Sequence, residues 1–405
     1  MEQKERINGW FRWETNHIGV LDGVRTAAIF VVLWFHFWQQ TWLMPYYPTP
    51  FLAWLGIQAI DLNAIRRCGY LCVDLTILLS GFVLFLPYAR NTFEGKPLDS
   101  IGAFYRKRAA RILPSYLFAV LAMFFVAVSD GAYATRPAFL WKDLLTHLSF
   151  TFLIWPDTYL FSAINGVFWT VAIEMMFYSF FPFLAKFFQK HPLPTYLAML
   201  AIGAAFTFGF CLRREDLPFM ANRFLTFFPV FANGMLCAYA YVWFVKKAPQ
   251  KLLLSCIGTV VAALCFVGIV KLFSSCSSAK VLQAWQLTYR IPLSYAFGGF
   301  VLGMAVSARP IRMLLSNSVM RAGALISYNL YLWHQFLIVR LRMALGCRSG
   351  ADVVALGVQT QWMLHTEALL LALVVSIVLT YGLEKPLYRW IMGGFGKNRT
   401  GEKEG

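Results

Sequence analysis

The sequence predicts an all-α, polytopic integral membrane protein of about ten transmembrane helices, with both termini on the cytoplasmic side. Three observations predict it. Apolar runs of spanning length recur along the whole chain. Of the 405 residues, 59% are hydrophobic and only 14% charged, a balance that a soluble chain of this length cannot present to water. The basic residues gather in short clusters between the runs, 22 of the 36 lysines and arginines on the side that holds the N-terminus and 13 on the other, which orients the chain. A cytosolic globular enzyme is thereby excluded. The formal charge of +17 reads as topology and contact with anionic lipid headgroups rather than as a nucleic-acid surface.

In order, residues 1–20 form a mixed-charge leader expected in the cytoplasm. The first run, 21–43, is LDGVRTAAIFVVLWFHFWQQTWL. It is longer than a signal-peptide core and has no small-residue cleavage site, so it is expected to be retained. Runs at 69–88 and 112–130 follow, and the basic cluster Arg106, Lys107, Arg108 and Arg111 between them fixes that connection inside. The stretch 144–161 is apolar but broken by Pro156 and Asp157; a re-entrant or surface helix is expected there, with an eleventh span as the alternative. Runs at 167–188, 195–212, 224–245, 252–273, 291–308 and 323–345 each approach the length that a hydrocarbon core of about 30 Å requires. The last run, 364–391, carries Glu384, Lys385 and Pro386 and is expected to bend or reach the interface near its end. One transmembrane domain, 21–392, is thus followed by a cytoplasmic tail, 393–405, with no linker, internal repeat or appended soluble domain. The eight cysteines have neither zinc spacing nor the pattern of a disulfide scaffold, Cys68 and Cys72 included, and read as buried thiols. The small residues of GGFVLG, 298–303, are expected to bring helices of the same chain together.

Four stretches carry ionisable or aromatic groups where lipid would exclude them. In 21–43, Arg25 and His36 lie eleven residues apart, about three helical turns with a rise of roughly 16 Å, so they share one face. That spacing suits an elongated ligand with an anionic end near the inner surface and a reactive end deeper in. His36 is either a proton carrier or a histidine hydrogen-bonded within the bundle. In FYRKRAARILPSY, 104–116, Arg108 and Arg111 share a helix side as phosphate ligands or as a positive-inside anchor. In INGVFWTVAIEMMFYSFFP, 164–182, Glu174 must be protonated, paired or beside water. Orienting His36, accepting a proton, binding a sugar hydroxyl and pairing with a buried cation all stand open for it. In ISYNLYLWHQ, 326–335, His334 sits among aromatic side chains. Together with Trp169 and Tyr178, Tyr328, Tyr331 and Trp333 form either a sugar platform or helix packing. No third ligand accompanies the two histidines, so no metal site is expected.

Taken together with VDLTILLSGF, 73–82, these stretches resemble the acyltransferase 3 family of integral-membrane acyltransferases. The resemblance runs in order from Leu21 to Pro386. LDGVRTAAIFVVLWFH looks like the family's opening motif, with Thr26 where glycine is usual. RKRAARILP matches its paired arginines through Arg108 and Arg111. NGVFWTVAIEMMFY resembles its tryptophan and glutamate segment, with Met175 in place of the usual polar residue. ISYNLYLWH and Glu384 with Pro386 match its closing motifs.

The resemblance implies transfer of an acyl group, most often acetyl, from cytoplasmic acyl-CoA to a hydroxyl of a glycan or glycoconjugate at the outer face of a cell membrane, by family habit the bacterial inner membrane. It implies Arg25, Arg108 and Arg111 as donor-binding residues and His36 and Glu174 as catalytic ones. Trp169, Tyr178 and His334 are the expected acceptor contacts. Two routes stand open: His36 as general base on the acceptor, or an acyl-histidine intermediate. The alternatives of other classes are a flippase or transporter for a lipid-linked sugar, with Arg25, Glu174 and His36 as its polar path, and a membrane sensor or scaffold. Transporters often show repeats with matching broken helices, and this sequence has none.

Overall fold

A segment that crosses hydrocarbon must satisfy every backbone N–H and C=O internally, so each apolar run is expected to fold as an α-helix. The computed structural model describes residues 13–14, 17–43, 46–56, 58–248 and 250–393, and they are helical apart from short connections and one small ribbon. In that ribbon β1 (Tyr46–Pro48) pairs antiparallel with β2 (Ala59–Asp61). Most of the expected leader, and all of the expected tail but Gly393, lie outside the described residues.

The helices are α1 (Gly19–Thr41), α2 (Asn63–Cys68), α3 (Cys72–Glu94), α4 (Ile101–Ser129), α5 (Pro137–Leu148), α6 (Pro156–Leu160), α7 (Trp169–Lys190), α8 (Pro192–Gly209), α9 (Leu217–Met220), α10 (Phe228–Lys247), α11 (Lys251–Ser277), α12 (Leu282–Val306), α13 (Arg309–Met313), α14 (Ser318–Ala344), α15 (Gly350–Ala355), α16 (Val358–Leu379) and α17 (Lys385–Gly393). Among the described residues, eight helical segments are long and apolar enough to cross a membrane, those built on α1, α3, α4, α7, α8, α10, α11 and α16. Two further expected spans, α12 and α14, have 25 and 27 residues. Their length suffices, but Arg290 in one and Asn329, His334 and Arg340 in the other lower their hydropathy. The stretch 144–161 falls in α5 and α6, of 12 and 5 residues, and neither is long enough to cross. At the end of the last run the helix loosens into a π-turn, Thr380–Glu384, before α17, so the expected change at Glu384 is a π-bulge.

The chain divides into two compact units, the first comprising residues 1–97, 185–324 and 347–362 and the second 98–184, 325–346 and 363–405. In the first unit α10 packs on α3, α8 and α12, while α1 packs on α2 and α3. Its core is mostly apolar, with Leu78, Phe82, Phe85, Val230, Met235, Leu293 and Val301 fully buried. The α3–α10 crossing is close because it uses glycine: a Cβ on Gly234 would stand 2.0 Å from the Leu78 carbonyl oxygen. GGFVLG does pack within the chain, Gly303 lying against Gly258 of α11.

In the second unit α4 packs on α5, on the π-turn and on α17. Ser100 starts α4, its side chain accepting from the Ala103 N–H at 3.2 Å. The helix therefore begins eleven residues before the expected start at 112, and the basic cluster lies on its first three turns rather than in a loop. Tyr116, Val120, Phe168, Ala172, Ile173, Leu330 and Leu332 form the core of this unit.

Candidate active site

The sequence-predicted residues fall into two sets, one in each unit. In the first, α1 is an unbroken helix through both Arg25 and His36, so the shared face and the rise of roughly 16 Å follow from its geometry. Both side chains are half-buried. Next to Arg25, Thr26 donates to the Met320 carbonyl at 2.7 Å. The bulk that it adds where glycine is usual is met by Gly323, at which a Cβ would stand 2.4 Å from Thr26 Cγ2. The substitution is thus balanced by a glycine on α14. At the other end, the Phe35 ring lies 5.1 Å from the His36 ring and 5.2 Å from Tyr70, and Arg66 sits 4.9 Å over the Trp38 ring. His36 is framed by aromatic groups on the turn that carries it.

In the second unit the structure joins three predicted residues in a line. Arg108 lies over the rings of Phe104 and Tyr178, at 5.8 and 5.9 Å, and the Tyr178 hydroxyl donates to Glu174 Oε2 at 3.2 Å, one turn away on α7. Arg108 Nε is buried and makes no hydrogen bond, a donor that an anionic oxygen would satisfy. Arg111 does not share that position: it is exposed, and its charge acts on Glu384. Arg108 thus lies against aromatic rings while the charge of Arg111 acts on Glu384.

Tyr328 of α14 donates to the Ile112 carbonyl at 3.1 Å and stands within electrostatic range of both Glu174 and Glu384. Trp169 opens α7 after the turn Gly166–Phe168, half-buried. His334 is fully buried. Its Nδ1 faces the carbonyl oxygens of Tyr331 at 2.7 Å and Leu330 at 3.2 Å, so Nδ1 carries the proton and Nε2 keeps the lone pair.

Sequence reasoning missed several groups that hold this frame. Asn165 donates to the Leu332 carbonyl at 3.1 Å and accepts from the Val167 N–H, fixing the turn before Trp169. Asn329 donates to Glu384 Oε2 at 2.8 Å and to Thr380, tying α14 to the π-turn. Asp143, wholly buried, accepts from Tyr133, Ser162 and the Ala163 N–H and lies 3.2 Å from His147 Nδ1. Burial alone would raise the Asp143 carboxyl; the His147 and Tyr133 hydrogen bonds outweigh it and hold the group below its ordinary range. The i, i+4 spacing of Asp143 and His147 was visible in the sequence. The partnership of Asp74 with Arg290, 3.0 Å apart, joins residues far apart in the chain and was not. Among the described residues no group of three His, Cys, Asp or Glu side chains is placed to hold a metal ion.

Comparison with known proteins agrees with the resemblance to the acyltransferase 3 family. The family model described as "Acyltransferase domain" matches residues 18–382, and the chain belongs to the acyltransferase 3 family. It is similar to the acyltransferase MdmB of Streptomyces mycarofaciens, 27% identical over 128 residues. That stretch is 32% of this chain and 31% of the relative, so the chain spans under a third of the length of that protein. No solved structure matches.

Proposed function

We propose that the protein transfers an acyl group, most often acetyl, from cytoplasmic acyl-CoA to a hydroxyl of a glycan or glycoconjugate on the outer side of the membrane. The observation that carries this reading is Arg25 and His36 on one face of an unbroken spanning helix in a chain of the acyltransferase 3 family. A guanidinium and an imidazole roughly 16 Å apart along the axis of a spanning helix match a donor whose charged end stays at the inner surface while its thioester reaches deeper. The basic cluster supports the same donor. Arg108 carries a buried Nε that makes no hydrogen bond, and Arg111 is exposed, which suits the phosphates of a nucleotide.

The chemistry assigned to the side chains is general base catalysis. Neutral His36 takes the proton of the acceptor hydroxyl as its oxygen attacks the thioester carbonyl. The tetrahedral intermediate then collapses, the carbon–sulfur bond breaks, and the proton returns from His36 to the departing thiolate. The products are an ester and free CoA. Glu174, held by Tyr178, and the aromatic groups Trp169 and Tyr178 are assigned to the acceptor, together with His334.

The test is consumption of acetyl-CoA by the detergent-purified protein in the presence of glycan fragments, read as free thiol and as acetyl ester by mass spectrometry. Acceptor-dependent release of both is expected. A sugar flippase has no reason to consume the thioester, so absence of turnover with every acyl-CoA offered would refute the reading.

A further inference from the structure

Of the long helices in the first unit, α11 is the least embedded: only 17% of its most apolar window is buried within the protein. Its partners are α12 along its length and α2. Near the C-terminal end of α11 the exposure changes, for Phe273 and Cys276 are buried where most of the preceding turns face outward. Cys276 meets the last residue of α2 there. Cys68 and Cys276 are both free thiols without solvent exposure, each close enough to act on the other, and the Tyr70 hydroxyl lies 3.6 Å from Cys276 Sγ.

Their place along the chain gives the contact a chemical meaning. Cys68 lies at the start of the second candidate span and Cys276 in the last turn of the seventh, so a chain that crosses with each span in turn brings both to the same membrane surface. With the N-terminus inside, as the lysine and arginine bias indicates, that surface faces the non-cytoplasmic compartment, where disulfides form and persist. We propose that Cys68 and Cys276 form a structural disulfide at the outer surface, fastening the α2 elbow to the end of α11. The oxidant is a protein disulfide of that compartment. One S–S bond forms in the chain, one breaks in the oxidant, and two electrons and both thiol protons pass to the oxidant, which leaves as a dithiol. Because both sulfurs are buried once folded, exchange precedes the docking of α11 on α2.

The bond fastens more than a peripheral helix. Directly after Cys68, a Cβ on Gly69 would stand 2.7 Å from the Val31 carbonyl oxygen and 2.9 Å from Phe35 Cβ. Tyr70 packs on Phe35, the neighbour of His36, and Arg66 covers Trp38. The elbow is the surface on which the His36 turn of α1 rests, and a bridge closing about two hundred residues restricts the unfolded chain strongly.

The experiment counts thiols. Membranes holding the full chain are denatured with N-ethylmaleimide to block free thiols, then reduced and treated with a polyethylene-glycol maleimide that shifts the band by one step per cysteine. The wild type is expected to gain two steps after reduction, and C68S and C276S none. A wild type that gains none overturns the proposal, and a gain that persists in C68S overturns the pairing. An N-terminal epitope protected from protease added to intact cells confirms the orientation; an accessible epitope removes the oxidising environment and overturns the inference. As a second readout, reductant is expected to lower the unfolding midpoint of the wild type but leave that of C68S unchanged, and equal shifts in both would contradict a structural bridge.

Discussion

Removing the carboxylate of Asp74 tests the physical reasoning behind the first unit. Asp74 of α3 is wholly buried and Arg290 of α12 is 2% exposed, with Nε donating to Asp74 Oδ2 at 3.0 Å. The guanidinium does not depend on that carboxylate alone. Its Nη1 donates to the Ala221 carbonyl at 2.8 Å and to Thr226 Oγ1, and its Cζ lies 4.0 Å from the centre of the Phe227 ring. In Asp74→Ala, Arg290 stays where these contacts hold it, now as a buried charge without its counter-ion. Breaking a buried pair by removing one partner costs about 3–5 kcal/mol. The remaining hydrogen bonds and the ring place Asp74→Ala near the lower end, about 3 kcal/mol. The double variant D74A/R290M, with neither charge, is expected to recover most of the loss, because replacing both ions by apolar groups is often neutral. Thermal and denaturant unfolding of the wild type, D74A, R290M and D74A/R290M in one detergent forms the cycle. A loss below about 1 kcal/mol in D74A, or a double variant no more stable than D74A, would refute the account of a buried, charge-paired site.

Further outcomes are expected from other contacts. Gly323→Ala places a methyl group 2.4 Å from Thr26 Cγ2 and is expected to cost about 1–3 kcal/mol, with Thr26→Ala in the same chain restoring much of it; independent, additive losses in unfolding measurements would show that the two residues do not touch. Tyr178→Phe keeps the ring against Arg108 but deletes the bond to Glu174, so acyl transfer should fall about three- to tenfold, less than in Glu174→Ala; an unchanged rate would remove Tyr178 from the site. Asp143→Asn should destabilise the protein at neutral pH. Because the folded Asp143 carboxyl is held below its ordinary range, its contribution is present above the usual carboxylate value of about 3.9 and is lost as pH falls through the lower folded value. A wild-type minus D143N stability difference that stayed constant down the acid limb would contradict this.

What the sequence made legible follows from what lipid demands. Ten apolar runs located the long helices because hydrocarbon leaves a spanning segment no other conformation. The first was expected at 21–43 and occurs as Gly19–Thr41. The expected start of α4 at 112 was late because Arg106, Lys107, Arg108 and Arg111 were assigned to a connection; long basic side chains on the first turns of a helix reach the interface without breaking it. The link from Glu174 to Tyr178 was within reach, since four residues make one helical turn. Asp74 with Arg290, Asn329 with Glu384, and Cys68 with Cys276 were not, because no local periodicity connects residues that meet only after helices pack. The π-turn at Glu384 was foreshadowed by a charged pair and a proline inside an apolar run, but its form was not.

The most direct test of the central claim separates donor capture from chemistry in one set of proteins. Acetyl-CoA binding, and thioester cleavage in the presence of glycan fragments as acceptor, are measured for the detergent-purified wild type, for the variant with both Arg108 and Arg111 changed to alanine, and for His36→Ala, each confirmed as folded. The wild type is expected to bind and cleave, the arginine variant to lose binding, and the His36 variant to bind normally while cleavage disappears. Full cleavage without His36, or undiminished binding without the two arginines, would contradict the assignment of base and donor site.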